Sequence, residues 1–310
     1  MLAVYVIAPI FIFIVAMFIA AYCFVSLACK RKDAKKYVGV NMLGPSPRLK
    51  YQNEIAQSYQ WVANMSCIPL QIMSKDGLKL YARLIEHDNA KGCVLLFHGF
   101  RSSPERDLNI MIPYLFGKGY SLLLCDMRAH GKSEGNYMTY GVYESDDCVL
   151  WAKLMAERFG DKLLYLYGTS MGAATVMFAC GKDLPNSVSG VIADCGFTRP
   201  WDILIRSWKR KTKISPYPLM YFVWLLIRLI CGYDLRISTQ TALKNTNIPI
   251  LFVHGQKDIT ILSHMTELNY AACGSLKKRL LLLSEGEHCT NFLIGDMKYF
   301  STVDTLLEGE

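Results

Sequence analysis

Hydrophobic residues fall along this chain in three arrangements. From Leu2 to Ala28 no residue carries a charge, and as a helix rising 1.5 Å per residue that run is roughly 40 Å long, enough to cross a bilayer with some tilt. Pro9 stands near its start, where a missing N–H costs least. Next, Ile68 to Ser74 and Leu78 to Ile85 are short β-like runs parted by Lys75-Asp76-Gly77, which predicts an opening hairpin. The third arrangement is a series of continuous apolar runs: CVLLFHG (93–99), YSLLLCD (120–126), KLLYLYG (162–168), VSGVIAD (188–194), IPILFVHG (248–255) and RLLLLSE (279–285). Strands apolar on both faces belong in a parallel sheet covered on both sides. Parallel strands need crossover helices, and 109–118, 143–159, 171–182, 264–273 and 291–307 can supply them. The predicted fold class is α/β, a mostly parallel central sheet with helices on both faces.

One interval breaks the alternation. Between Phe197 and about Thr246 lies too much chain for a simple crossover, holding a basic cluster (Arg206, Lys209, Arg210, Lys211, Lys213) and then PLMYFVWLLIRLI (218–230). It reads as an inserted cap, whose apolar stretch is too short to span a membrane but suits a core helix or a surface helix over a site. Docking of this cap on anionic lipid is the sharper alternative to plain core packing.

The chain thus divides into a transmembrane anchor (1–29), a basic linker with a peripheral helix (30–66) and an α/β body (67–310) with a cap at about 197–246. A cleaved signal peptide would need a charged n-region and a shorter apolar core, and MLAVYVIAP offers neither. A lipoprotein signal ending at Cys29 lacks the same n-region. Lys30, Arg31, Lys32, Lys35 and Lys36 follow the apolar run at once, and such an excess marks the cytoplasmic side, so the body is expected in the cytoplasm.

Composition sharpens this picture in two respects. With 52% hydrophobic and 19% charged residues, the chain is neither disordered nor fibrous. Its net charge of +8 is modest, and the basic residues gather beside apolar segments, which argues against nucleic acid as a partner. The 11 cysteines are scattered without CxxC or any metal-ligand spacing and are odd in number, so they are expected to be reduced, mostly buried thiols.

The chemistry centres on Gly168-Thr169-Ser170-Met171-Gly172, a G-x-S-x-G motif. It follows the run Leu163–Tyr167 and opens a helical stretch, the context a nucleophile elbow needs to project a serine above a sheet. A serine hydroxyl requires a base, and the base a carboxylate to orient it. With the order Ser, Asp, His, the expected catalytic residues are Ser170, Asp258 in VHGQKDIT and His288 in SEGEHCTNF, the last two just beyond apolar runs. Asp194, ending VSGVIAD, is the rival acid. His98, His130 and His254 sit beside glycines within or just after earlier strands and are read as structural. The expected oxyanion donors are the N–H groups of Phe100, in FHGF (97–100), and of Met171.

Taken in order, LLFHGF, CDMRAHGKSEG, YGTSMGAAT, VIADCGFT, LFVHGQKD and EGEHC resemble the alpha/beta-hydrolase superfamily from about residue 70 to the end. Together with the N-terminal anchor they are similar to the Bem46-like and YqkD-like hydrolases of the serine aminopeptidase-type group. The resemblance implies Ser170 as nucleophile, Asp258 as acid, His288 as base and Phe100 and Met171 as oxyanion donors, with ester, thioester or amide hydrolysis and neither metal nor organic cofactor. It also implies a structural role for Asp126, Arg128 and His130. Relatives often carry D-x-x-V-P after the acid; here Ile259-Thr260-Ile261-Leu262 keeps the apolar anchor without the proline.

The expected activity is a membrane-anchored serine hydrolase acting on a small-molecule or lipid acyl substrate. The alternative from another class is a catalytically silent binding or scaffold module on the same fold. A dehalogenase would carry aspartate where Ser170 stands. Fold alone names no substrate.

Overall fold

The computed structural model describes the backbone at residues 2–32, 40–41, 44–45 and 47–309, and side chains at 5–32 and 48–309. Lys35 and Lys36 of the expected basic stop lie outside the described residues.

The runs apolar on both faces become the parallel part of one eight-stranded sheet, with the last of them, 279–285, at its half-buried edge rather than inside it. Its strands are β1 (Ile68–Met73), β2 (Lys79–Ile85), β3 (Gly92–Phe97), β4 (Tyr120–Asp126), β5 (Leu163–Thr169), β6 (Val188–Asp194), β7 (Ile250–Gly255) and β8 (Lys278–Leu283). They lie in the order β8-β7-β6-β5-β3-β4-β2-β1. β1 pairs antiparallel with β2 and β2 antiparallel with β4, while every pair from β4 to β8 is parallel. The sense of winding reverses between β3 and β5. At such a switch point the loops leave the strand ends in opposite directions, opening a crevice at the carboxyl edge.

Alternation along each strand divides the interior into two cores. Leu95 and Phe97 of β3, Leu123 and Cys125 of β4, and Leu164 and Leu166 of β5 face one side. Their neighbours Val94, Leu96, Leu122, Leu124, Tyr165 and Tyr167 face the other. Side chains one apart point oppositely, so a strand needs apolar residues at both phases to serve both cores.

The helices are α1 (Leu2–Cys29), α2 (Gln52–Asn64), α3 (Pro104–Asp107), α4 (Met111–Gly117), α5 (Glu144–Phe159), α6 (Met171–Ala179), α7 (Pro200–Thr212), α8 (Leu219–Ile230), α9 (Thr239–Leu243), α10 (Ser263–Ala272) and α11 (Met297–Leu307). The expected helix over 291–307 is shorter than its sequence pattern. Gly295 takes the left-handed conformation at φ 72°, and the Asp296 side chain caps α11 by accepting the Lys298 N–H at 2.8 Å. Asn291 and Phe292 are thereby left in the loop before the helix, and Asn291 serves the interior instead.

α1 is long and apolar enough to cross a membrane. Over residues 5–16 it is exposed all round, but Ala21, Val25, Ala28 and Cys29 are buried in the first core. Their spacing puts them on one helical face. That end packs beside α8, with the Phe18 and Phe222 rings 5.0 Å apart and Phe24 against Trp208 at 5.7 Å. Helix ends leave carbonyls without helical partners, and here the body supplies donors. Arg101 Nη2 donates to the Leu27 oxygen at 2.6 Å, the Tyr140 hydroxyl to Ala28 at 2.9 Å and the Met138 N–H to Cys29 at 2.8 Å.

Candidate active site

Between β5 and α6 the chain must turn within one residue. Ser170 does so at φ 56°, ψ −114°, a conformation L-residues rarely adopt and one that marks built sites. Its flanking glycines are required by contact. A Cβ on Gly172 would strike the Phe97 carbonyl, and one on Gly168 would strike the Gly172 carbonyl. The Ser170 N–H donates to the Asp194 oxygen at 2.8 Å, tying the turn to β6.

Ser170 Oγ lies 3.0 Å from His288 Nε2, and His288 Nδ1 lies 2.6 Å from Asp258 Oδ2. A carboxylate can only accept, so Nδ1 carries a proton, and in the neutral ring Nε2 presents its lone pair to the serine hydroxyl. The residues come from beyond the ends of three strands, Ser170 and His288 lying 118 positions apart, and all three are buried.

Asp258 is held from both sides. Its Oδ1 accepts the N–H groups of Thr260 at 2.7 Å and Ile261 at 2.9 Å. Its Oδ2 also meets His254 Nε2 at 3.2 Å. The His254 Nε2–H also faces the Ile261 carbonyl at 2.9 Å, which leaves Nδ1 to accept from the Thr266 hydroxyl at 2.6 Å. Burial would push the Asp258 carboxyl up, but the imidazoles of His288 and His254 hold it well below the ordinary carboxylate range. Burial likewise opposes a charged His288, yet the Asp258 carboxylate and the neighbouring Cys289 sulfur raise it to about 10.

The rival acid has other partners. Asp194 is fully buried, with the Asn291 amide 2.5 Å from Oδ1 and the Tyr299 hydroxyl 3.0 Å from Oδ2. Burial pushes its carboxyl up to about 7. The remaining histidines brace loops. The His98 Nδ1–H donates to Gly99 at 2.8 Å, and its Nε2 accepts the Met127 N–H at 3.3 Å; burial lowers it to about 4. His130 donates to the Arg128 carbonyl and accepts the Arg101 N–H, each at 2.9 Å. Arg128 itself pairs with Asp147 and Asp76.

Phe100 and Met171 both line the crevice above Ser170. Among the described residues, neither of their N–H groups has an acceptor within the protein. The loop bearing Phe100 rests on a buried acid that sequence reasoning missed. Asp107 Oδ2 accepts the Gly99 N–H at 2.6 Å, and its Oδ1 takes Arg48 and Ser102. Arg48 reaches it from the linker, and no sequence motif announces that pairing.

The cap closes over the same crevice. Ile203 and Ser207 of α7 join Tyr140, Phe197 and Ile261 in its wall, which is therefore mostly apolar. Arg206 donates to the carbonyls of Thr260 at 3.0 Å and Ile259 at 2.6 Å, and Arg210 also bonds Ile259. Two of the basic-cluster residues thus clamp the loop that follows Asp258, while Lys209, Lys211 and Lys213 are exposed.

Residues 88–230 match the family described as Serine aminopeptidase, S33. The chain is similar to YqkD of Bacillus subtilis (strain 168), 27% identical over 217 residues, covering 69% of this chain and 70% of that protein. It is similar also to the membrane protein YNL320W of Saccharomyces cerevisiae, 28% identical over 223 residues, covering 71% and 72%. Among solved structures, the Pyrococcus furiosus esterase Pf2001 superposes with a TM-score of 0.65 at 22% identity, over 80% of this chain and 92% of that one.

Proposed function

We propose, from the membership of this chain in the alpha/beta-hydrolase superfamily beside the Bem46-like and YqkD-like proteins, that it is a membrane-anchored serine hydrolase of acyl esters. The observation that carries the reading is the unbroken chain Ser170 Oγ, His288 Nε2, His288 Nδ1, Asp258 Oδ2 at 3.0 and 2.6 Å, opening on an apolar crevice.

In the proposed mechanism His288 Nε2 takes the Ser170 proton as Oγ attacks the acyl carbon. The N–H groups of Phe100 and Met171 receive the charge that develops on the carbonyl oxygen. His288 then returns the proton to the departing alkoxide, and a water activated by the same nitrogen releases the acid. Asp258 stays ionised throughout, fixing the tautomer and stabilising the imidazolium. No metal or organic cofactor enters these steps.

The bilayer placement rests on α1, a candidate span, and on its neighbour. Ile19, Tyr22 and Leu27 of α1 and Tyr221, Leu225 and Leu229 of α8 present exposed apolar side chains on two helices packed side by side. Such a patch suits an acyl-chain environment. The cap that walls the crevice would then lie at the membrane, so lipid-borne acyl groups are the substrates it favours. By the positive-inside pattern of Lys30, Arg31 and Lys32, we place the body in the cytoplasm.

The test is covalent labelling of the full chain in detergent micelles with a serine-directed fluorophosphonate, followed by peptide mapping. An adduct on Ser170 that disappears in Ser170→Ala is the expected result. A folded protein that takes up no label would leave only the silent-scaffold reading.

A further inference from the structure

Three donor groups beside the candidate site come together from positions whose sequence spacing gives no metal motif. Cys195 follows Asp194 at the end of β6, and Cys289 follows His288. Both cysteines take the left-handed backbone conformation, at φ 48° and 57°, which costs energy for a residue with a side chain. Both are buried, and their sulfurs stand 3.6 Å apart. One donor atom from each of Cys195, His288 and Cys289 lies within 4.8 Å of the others.

The sulfur separation suits a tetrahedral ion. With Zn–S near 2.3 Å, two sulfurs on one ion sit about 3.8 Å apart, close to the separation observed here. Nδ1 of His288 is committed to Asp258, so Nε2 is the nitrogen that would turn to the ion. An ion on Nε2 would replace its hydrogen bond to Ser170 Oγ, which is 3.0 Å long. Two thiolates and an imidazole are soft donors, the set that selects Zn²⁺ and its thiophilic neighbours over Mg²⁺ or Ca²⁺. Cys289 lines the crevice, which gives the ion a way in.

We propose that Cys195, His288 and Cys289 form an inhibitory site for a thiophilic divalent cation of the Zn²⁺ type. On binding, each thiol releases its proton to solvent and the sulfurs and Nε2 donate to the ion, so two protons leave for each cation bound. The lone pair that would take the Ser170 proton is then occupied, and acyl transfer stops until the ion is removed. The switched-off state rests on the hydrolase reading; the metal site itself does not.

The test uses the full chain in micelles under a phosphine reductant, which keeps a Cys195–Cys289 disulfide from forming. Co²⁺ is added as a spectroscopic probe, and fluorophosphonate labelling is followed against buffered free Zn²⁺. We expect a thiolate-to-cobalt charge-transfer band, labelling arrested by Zn²⁺, and full recovery on adding a chelator. Cys195→Ser should leave metal-free labelling unchanged and raise the half-inhibitory zinc concentration by about 10- to 100-fold or more, since losing a ligand costs at least what losing an outer-shell partner does. Cys289→Ser should abolish the cobalt band. Wild type without that band at excess Co²⁺, or a band that survives both substitutions, overturns the site. A band in a protein that never labels would keep the site and remove the hydrolase reading instead.

Discussion

At the residue scale, the proposed assignment of the acid rests on what each carboxylate touches. Asp258 accepts from His288, whereas Asp194 is spent on Asn291 and Tyr299. Asp258→Asn should therefore lower kcat by up to about 10⁴-fold, because the amide no longer favours the productive tautomer. Asp194→Asn should leave kcat within a few fold of wild type, although it disturbs a buried hydrogen bond. Ester hydrolysis by the two variants, with circular dichroism to check folding, separates the carboxylates. The acidity of His288 gives a second expectation. Its conjugate acid is stabilised by Asp258 and raised to about 10, so the neutral base becomes more populated as pH rises. The labelling rate of Ser170 should climb with pH above neutrality, and the inflection should move to lower pH in Asp258→Asn, where the stabilising charge is gone. A pH–rate profile flat from 7 to 10 would contradict this.

At the level of elements, the legible parts of the fold are those in which one local pattern has one physical cause. The runs at 120–126 and 188–194 coincide with β4 and β6, because an apolar run between polar turns can be satisfied only inside a covered sheet. The elbow was legible for a similar reason, since only glycine fits at 168 and 172 once Ser170 turns as it does. Gly172→Ala puts a methyl group against the Phe97 carbonyl and should destabilise the protein by more than about 2 kcal/mol, read as a lowered thermal midpoint. Contacts between distant segments left no such trace. The Arg48–Asp107 pair and the meeting of Cys195 with Cys289 join positions whose neighbours say nothing of each other. Asp107 also shows how the loop proposed to receive the oxyanion is fixed. In Asp107→Ala the Gly99 N–H loses its acceptor and Arg48 loses this carboxylate. Turnover should fall by about 10- to 100-fold, a part of the 10² to 10³ that losing one oxyanion donor outright would cost. KM should change much less, and steady-state kinetics on a soluble ester gives the split.

For the whole molecule, the first helix is the element whose role changes most between sequence and structure. As an apolar run it reads as a transmembrane anchor, and in the structure Ala21, Val25, Ala28 and Cys29 also belong to the core, with its last carbonyls held by Arg101, Tyr140 and Met138. Arg101 adjoins Phe100, and Tyr140 lines the crevice, so the helix ends against the walls of the site. Under the membrane anchoring proposed above, the bilayer and the crevice share a boundary. If so, charges on the outward face of α8 should oppose contact with acyl chains without touching the crevice. Leu229 is 70% exposed and Tyr221 59%, so Leu229→Asp with Tyr221→Asp costs little packing. The double variant should hydrolyse a water-soluble short-chain ester at close to the wild-type rate, and a long-chain ester held in vesicles at least about tenfold more slowly, because a carboxylate is expensive to carry into hydrocarbon. Equal loss on both substrates would mean that α8 serves the fold, and no loss on either would mean that substrate reaches Ser170 from water.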